Sequence, residues 1–274
     1  MSIAHVNGVD LYYEVTGKGF PLVWSHEFAG DCRSWEPQVK FFSRRYQVIT
    51  YNARGYLPSD VPTEPAEYSP GYSVEDLYRL LQYLDIKQAY VGGLSMGGNV
   101  ALNFGITHPG MVKALIIAAT GSGTTNREVF ENRMEDLVRL LKTRGMRAAA
   151  EAYVREPNRT QLPNKDPKSA QEFYNNFISH SAVGSALTIK GVILKRPTIF
   201  ALQPKLLQLS VPTLIIVGDE DDSCIEPALF LKRNITPSCL AVFPMAGHAI
   251  NLEEPALFNQ MVLDFLTLVE TERW

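Results

Sequence analysis

The chain has 274 residues and carries 26 Lys and Arg against 29 Asp and Glu, a net charge of −3. That balance offers no basic field to a polyanion, so no nucleic-acid partner is expected, and clusters such as Arg44-Arg45 and Lys195-Arg196 read as solvated surface. With 46% apolar and 20% charged residues and no apolar run of about 18, the composition excludes disorder and a membrane span, and the length suits one large core with an inserted subdomain.

Cys32, Cys224 and Cys239 are widely separated and lack metal-type spacing, and the first ten residues lack a basic segment followed by an apolar one. No signal peptide and a reducing, cytoplasmic setting are therefore expected.

Taken in chain order, Ile3–Val6 and Val9–Val15 flank Asn7-Gly8, a dipeptide suited to the positive φ angles of a tight hairpin. Leu22–Ser25 reads as a buried strand, residues 35–42 as a helix and Tyr46–Tyr51 as the next strand. Ser73-Val-Glu-Asp76 resembles a capping box, with Leu77, Leu80, Leu81 and Leu84 at helical spacing behind it. Ala89–Val91 and Ala114–Ala119 read as strands around a helix over 96–104. Strands apolar on both faces, alternating with helices, predict a mostly parallel sheet covered on both sides.

The rhythm breaks after Gly123. Met134, Leu137, Val138 and Leu141 mark an amphipathic helix, Phe173, Phe177 and Ile178 another, and no buried strand returns until Pro212–Val217. A helix from Pro227 to Arg233, a strand over Cys239–Phe243 and a helix from Pro255 to Val269 complete the pattern. The expected organisation is a core of residues 1–123 and 208–274 interrupted by a helical cap at 124–207.

The sharpest chemical signal is Gly93-Leu-Ser95-Met-Gly97, a G-x-S-x-G between a predicted strand and helix. A chain reversing that sharply leaves no room for flanking side chains, and it lifts the serine oxygen above the sheet. A hydroxyl needs a base to become a nucleophile, and His248, after the last strand, is the candidate; His5, His108 and His180 are weaker ones. The imidazole in turn needs an acid, which Gly218-Asp219-Glu220-Asp221-Asp222 can supply.

The order Ser95, acid, His248 and the G-x-S-x-G motif resemble the α/β-hydrolase fold over nearly the whole chain. The resemblance implies an eight-stranded, mostly parallel sheet flanked by helices with an inserted helical cap. It implies Asp221 as the acid, the fourth place of a G-x-x-D segment, with Asp219 as the alternative. It also implies an oxyanion hole from the backbone N–H groups of Phe28 and Met96, although Glu27 stands where the family has glycine. Glu27 is read as a structural carboxylate or, alternatively, a polar substrate contact. Asn52-Ala-Arg54-Gly55 resembles a family loop in which Arg54 is structural.

What the resemblance implies for activity is hydrolysis of a carboxylic ester or lactone of a small to medium, partly apolar substrate, as in carboxylesterases and enol-lactone hydrolases. The same triad also serves carbon–carbon bond hydrolases of vinylogous diketones and perhydrolases, and some proteins of this fold act as ligand receptors or regulators. No cofactor or metal is called for, the partner expected is a small-molecule substrate without nucleic acid or membrane, and a homodimer is left open. Tyr153, Phe173, Phe177 and Phe200 are expected either to pack the cap's own core or to line an apolar pocket.

Overall fold

Each central strand of this chain is apolar on both faces, and the computed structural model, which describes residues 2–274, places those strands in the middle of a helix-covered sheet. The strands are β1 (Ser2–Val6), β2 (Val9–Thr16), β3 (Pro21–Ser25), β4 (Gln47–Tyr51), β5 (Ala89–Leu94), β6 (Val112–Ala118), β7 (Thr213–Gly218) and β8 (Ser238–Phe243). They lie in the order β1-β2-β4-β3-β5-β6-β7-β8. Only the β1–β2 and β2–β4 pairings are antiparallel. Asn7 and Gly8 take φ of 51° and 77°, the positive values that the first hairpin requires.

Side-chain alternation sorts the core into two layers. Val23, Leu115, Ile117, Ile215 and Val217 pack on one face with the helix Pro70–Tyr83, whereas Trp24, Ile116, Leu214 and Ile216 pack on the other with Phe258 and Phe265 of Pro255–Glu270. Trp24 stacks on Trp35 at 4.5 Å, and a Cβ at Gly92 would stand 2.2 Å from the Trp24 ring, so β5 runs against this indole only because that position is glycine.

Two helices begin earlier than their sequence signals suggest. The helix expected at Ser73 starts at Pro70, because the Ser69 hydroxyl accepts the Tyr72 N–H at 3.0 Å and Pro70 needs no donor in a first turn. Ser73 instead bonds back to the Ser69 carbonyl. The helix expected at Pro227 starts at Asp222 and carries that proline inside it.

Between β6 and β7 the chain forms helices only. The first, Arg127–Tyr153, kinks at Gly145, whose φ of 75° departs from helical geometry. Met134, Leu137, Val138 and Leu141 are buried together with Tyr153, Phe173 and Phe177 against Phe28 and Met96 from the sheet side. The helical layer thus closes over the carboxyl ends of β3 and β5. Phe200 departs from expectation: it is 43% exposed and packs on Phe230, outside both the cap core and the pocket.

Candidate active site

The strand β5 passes into the helix Met96–Thr107 within one residue, and that residue is Ser95, with φ 56° and ψ −107°. A side chain in this region is strained by about 1–3 kcal/mol, a cost the surrounding structure must hold in place. The neighbours leave no choice: a Cβ at Gly93 would lie 2.3 Å from the Gly97 carbonyl carbon, and one at Gly97 would lie 1.9 Å from the Ser25 oxygen. The Ser95 N–H donates to Ala118 at 2.9 Å, which ties the turn to β6. Met96 then occupies the first helical position, where an amide has no partner within the helix.

His248 follows β8 and Asp221 follows β7. The structure brings them together, with His248 Nδ1 at 2.6 Å from Asp221 Oδ2. Asp221 is fully buried. Burial by itself would raise its carboxyl, but the facing His248 ring, the bond to it and the Asn158 amide outweigh that and hold it at about 2. Asp219, the alternative acid, is engaged elsewhere, accepting the Ala246 N–H at 3.2 Å. Ser95 and His248 line one cavity of about 250 Å³ together with Phe28 and Met96. The Ser95 hydroxyl makes no hydrogen bond to His248 among the described residues, and such contacts commonly tighten only when substrate is present.

Several groups that sequence reasoning missed hold this geometry. Glu253 accepts the N–H groups of Gly247 at 2.5 Å and Ala249 at 3.1 Å, clamping the loop on both sides of His248. Asn158, from the helical layer, donates to Asp221 Oδ1 at 2.9 Å while its carbonyl accepts the His248 N–H at 2.8 Å. Its neighbour Arg159 forms a buried ion pair with Glu27 at 2.5 Å and donates to the Tyr153 hydroxyl at 3.0 Å. Glu27 is therefore a structural carboxylate that ties the β3 loop to the helical layer.

The remaining histidines have other employment. His5 pairs with Asp10 on the surface, His108 stacks on Tyr78 at 4.2 Å, and His180 lies 3.1 Å from Asp31 in the interior. Arg54 is buried and forks onto Asp76 with two contacts of 2.7 Å, the structural role expected of it. All three cysteines are free. Cys224 brings a third potential metal ligand within 4.8 Å of Asp221 and His248. Burial raises its thiol well above the ordinary value, and the other two ligand atoms are bonded to each other, so the trio fits a hydrogen-bonded pair beside a protonated thiol better than an ion site.

Arg196 contradicts its expected place on the surface. It is 6% exposed and lines the same cavity as Ser95.

A mostly parallel eight-stranded sheet, a serine on a strained strand-to-helix turn and an Asp–His pair behind the last two strands define a hydrolase-type architecture. The family model for the alpha/beta hydrolase fold matches residues 21–255, and the chain belongs to that family. It is 26% identical over 242 residues to 3-oxoadipate enol-lactonase 2 of Acinetobacter baylyi, covering 88% of this chain and 86% of that one. Among solved structures, an enol-lactonase from Burkholderia xenovorans superposes with a TM-score of 0.86 at 25% identity, covering 97% of this chain and 100% of that one. A thermophilic esterase from Thermogutta terrifontis gives a TM-score of 0.87 at 25% identity, with 98% of each chain covered.

Proposed function

We propose that the protein is a serine hydrolase of carboxylic esters or lactones, with Ser95 as nucleophile, His248 as base and Asp221 as the acid that orients it. The observation that carries this reading is the buried Asp221–His248 pair opening into the cavity that Ser95 lines. With Nδ1 held by Asp221, the Nε2 of His248 is the nitrogen left to take the Ser95 proton. The serine oxygen attacks the carbonyl carbon, and the N–H groups of Phe28 and Met96 stabilise the oxyanion, each worth on the order of 3 kcal/mol. Collapse expels the alcohol, which takes its proton from His248 and leaves an acyl-enzyme. Water deprotonated by the same ring then releases the acid and restores Ser95. In a lactone the expelled alcohol stays tethered to the acyl group, and the net change is again the addition of one water.

Residues 124–207 serve as the cap that bounds the substrate. The cavity volume of about 250 Å³ lies below the usual range for drug-sized ligands and favours a small substrate. Relatives named as an enol-lactonase and an esterase support the same bond class.

The test is steady turnover of p-nitrophenyl acetate and butyrate by the wild-type chain. Asp221→Asn should lower kcat by about 1,000-fold or more, since the imidazole loses its orienting anion, whereas Asp219→Asn should cost little. A single slow turnover would instead indicate a ligand receptor, and equal small losses in both variants would place the acid elsewhere.

A further inference from the structure

A buried guanidinium is costly unless an anion faces it, and proteins normally supply one. The arginines around the cavity follow that rule with one exception. Arg159 is paired with Glu27 at 2.5 Å and Arg133 with Glu156 at 3.2 Å. Arg127, packed beside Arg196, is paired with Glu131 at 2.6 Å. Arg196 has no ion pair among the described residues, and its Nε and Nη1 are buried without any hydrogen-bond partner. Burial, unrelieved by a carboxylate, lowers its guanidinium to about 10. It remains a full cation at neutral pH.

The side chain lines the same cavity as Ser95 and His248, and Asp222, the acidic residue at the cavity wall on the β7 side, makes no bridge to it. Arg196 is therefore a buried cation at the cavity wall with which no carboxylate of the described residues pairs. We propose that Arg196 is a substrate-binding residue that receives a carboxylate, so that the natural substrate is a monoanionic ester or lactone bearing a free carboxylate apart from the bond cleaved. Nε and Nη1 are enclosed on opposite edges of the planar group and cannot grip one carboxylate together, which leaves Nη2, hydrogen-bonded to no described residue, as the donor open to an anion beside the delocalised charge. The inference rests on the ester-hydrolase reading for what happens at Ser95, but the anion site itself does not depend on it.

Two measurements on the intact protein separate the claims. In the first, kcat/KM is compared for monoethyl glutarate and monoethyl adipate against ethyl butyrate and ethyl hexanoate. Wild type should favour the anionic esters by at least about 10-fold, and Arg196→Met should collapse that ratio about 30-fold or more, chiefly through KM, with Arg196→Lys retaining part of it. In the second, calorimetric titration with glutarate alone should show binding to wild type that weakens by a similar factor in Arg196→Met. Turnover of both ester classes without charge preference, or a ratio unchanged by Arg196→Met, overturns the carboxylate site while leaving the hydrolase reading intact. Glutarate binding through Arg196 with no ester turnover overturns the hydrolase reading and leaves the anion site standing. Should Arg196→Met fail to fold, the wild-type preference and Arg196→Lys still decide: a preference untouched by Arg196→Lys, like no preference at all, sinks the proposal.

Discussion

His26 shows how a single buried group sets a pH dependence. Its Nδ1 donates to the Glu27 carbonyl at 2.7 Å and its Nε2 accepts the Ala53 N–H at 3.1 Å, an arrangement that only the neutral ring can make. Burial lowers the ring from 6.5 to about 4. Between those values the unfolded chain binds a proton that the folded chain does not, so stability is complete above about pH 6.5 and is lost as pH falls toward 4. The slope is about 1.4 kcal/mol per pH unit, on the order of 3 kcal/mol in total. Urea titrations at pH 7 and pH 5 should show wild type losing more stability than His26→Asn over that interval; parallel losses would mean that the ring is protonated in the folded protein. At this scale the sequence was legible where chemistry repeats a local motif, as at Ser95, and illegible where it depends on a distant partner. Glu27 and Arg159 are 132 residues apart, and nothing local marks either as half of a pair.

Elements were legible to the extent that burial imposes a period. All eight strands could be located because their residues are apolar on both faces or alternate in burial over at least part of their length, as Val9–Tyr12 does. Helix starts were less legible, because a cap is decided by which hydroxyl reaches an orphan N–H: Ser69 does so and Ser73 does not. The short turn Pro157–Arg159, a polar and proline-bearing stretch with no periodicity, is the element whose importance was least visible. It brings Asn158 onto both Asp221 and the backbone of His248, so the helical layer helps to hold that pair in place. Asn158→Ala should lower kcat by about 10- to 100-fold, the value of a hydrogen bond to a charged group, while KM for a short ester changes little. A matched rise in KM with kcat preserved would make Asn158 a substrate contact instead of a positioning residue.

At the scale of the whole molecule, the sheet supplies a rigid base and the helical layer supplies the enclosure. Strands β3, β5, β7 and β8 deliver Phe28, Ser95, Asp221 and His248 to one end of the sheet, the place where parallel α/β sheets gather functional groups. The segment between β6 and β7 contributes Arg133, Tyr153, Asn158, Arg159 and Arg196 to the walls of the same cavity. Among the described residues no helix is long and apolar enough to cross a membrane. The order of Ser95, an acid near 221 and His248 could be read from the sequence because each stands next to a strand end, whereas the cavity wall could not, because Arg196 looks like any surface cation until the fold buries it. The central claim is that Ser95 is an activated nucleophile, and the most direct measurement is mass spectrometry of the protein after exposure to a p-nitrophenyl organophosphonate. The account predicts a single stoichiometric adduct on Ser95, abolished in Ser95→Ala and greatly slowed in His248→Ala. An unmodified Ser95, or an adduct that forms equally fast without His248, would contradict it.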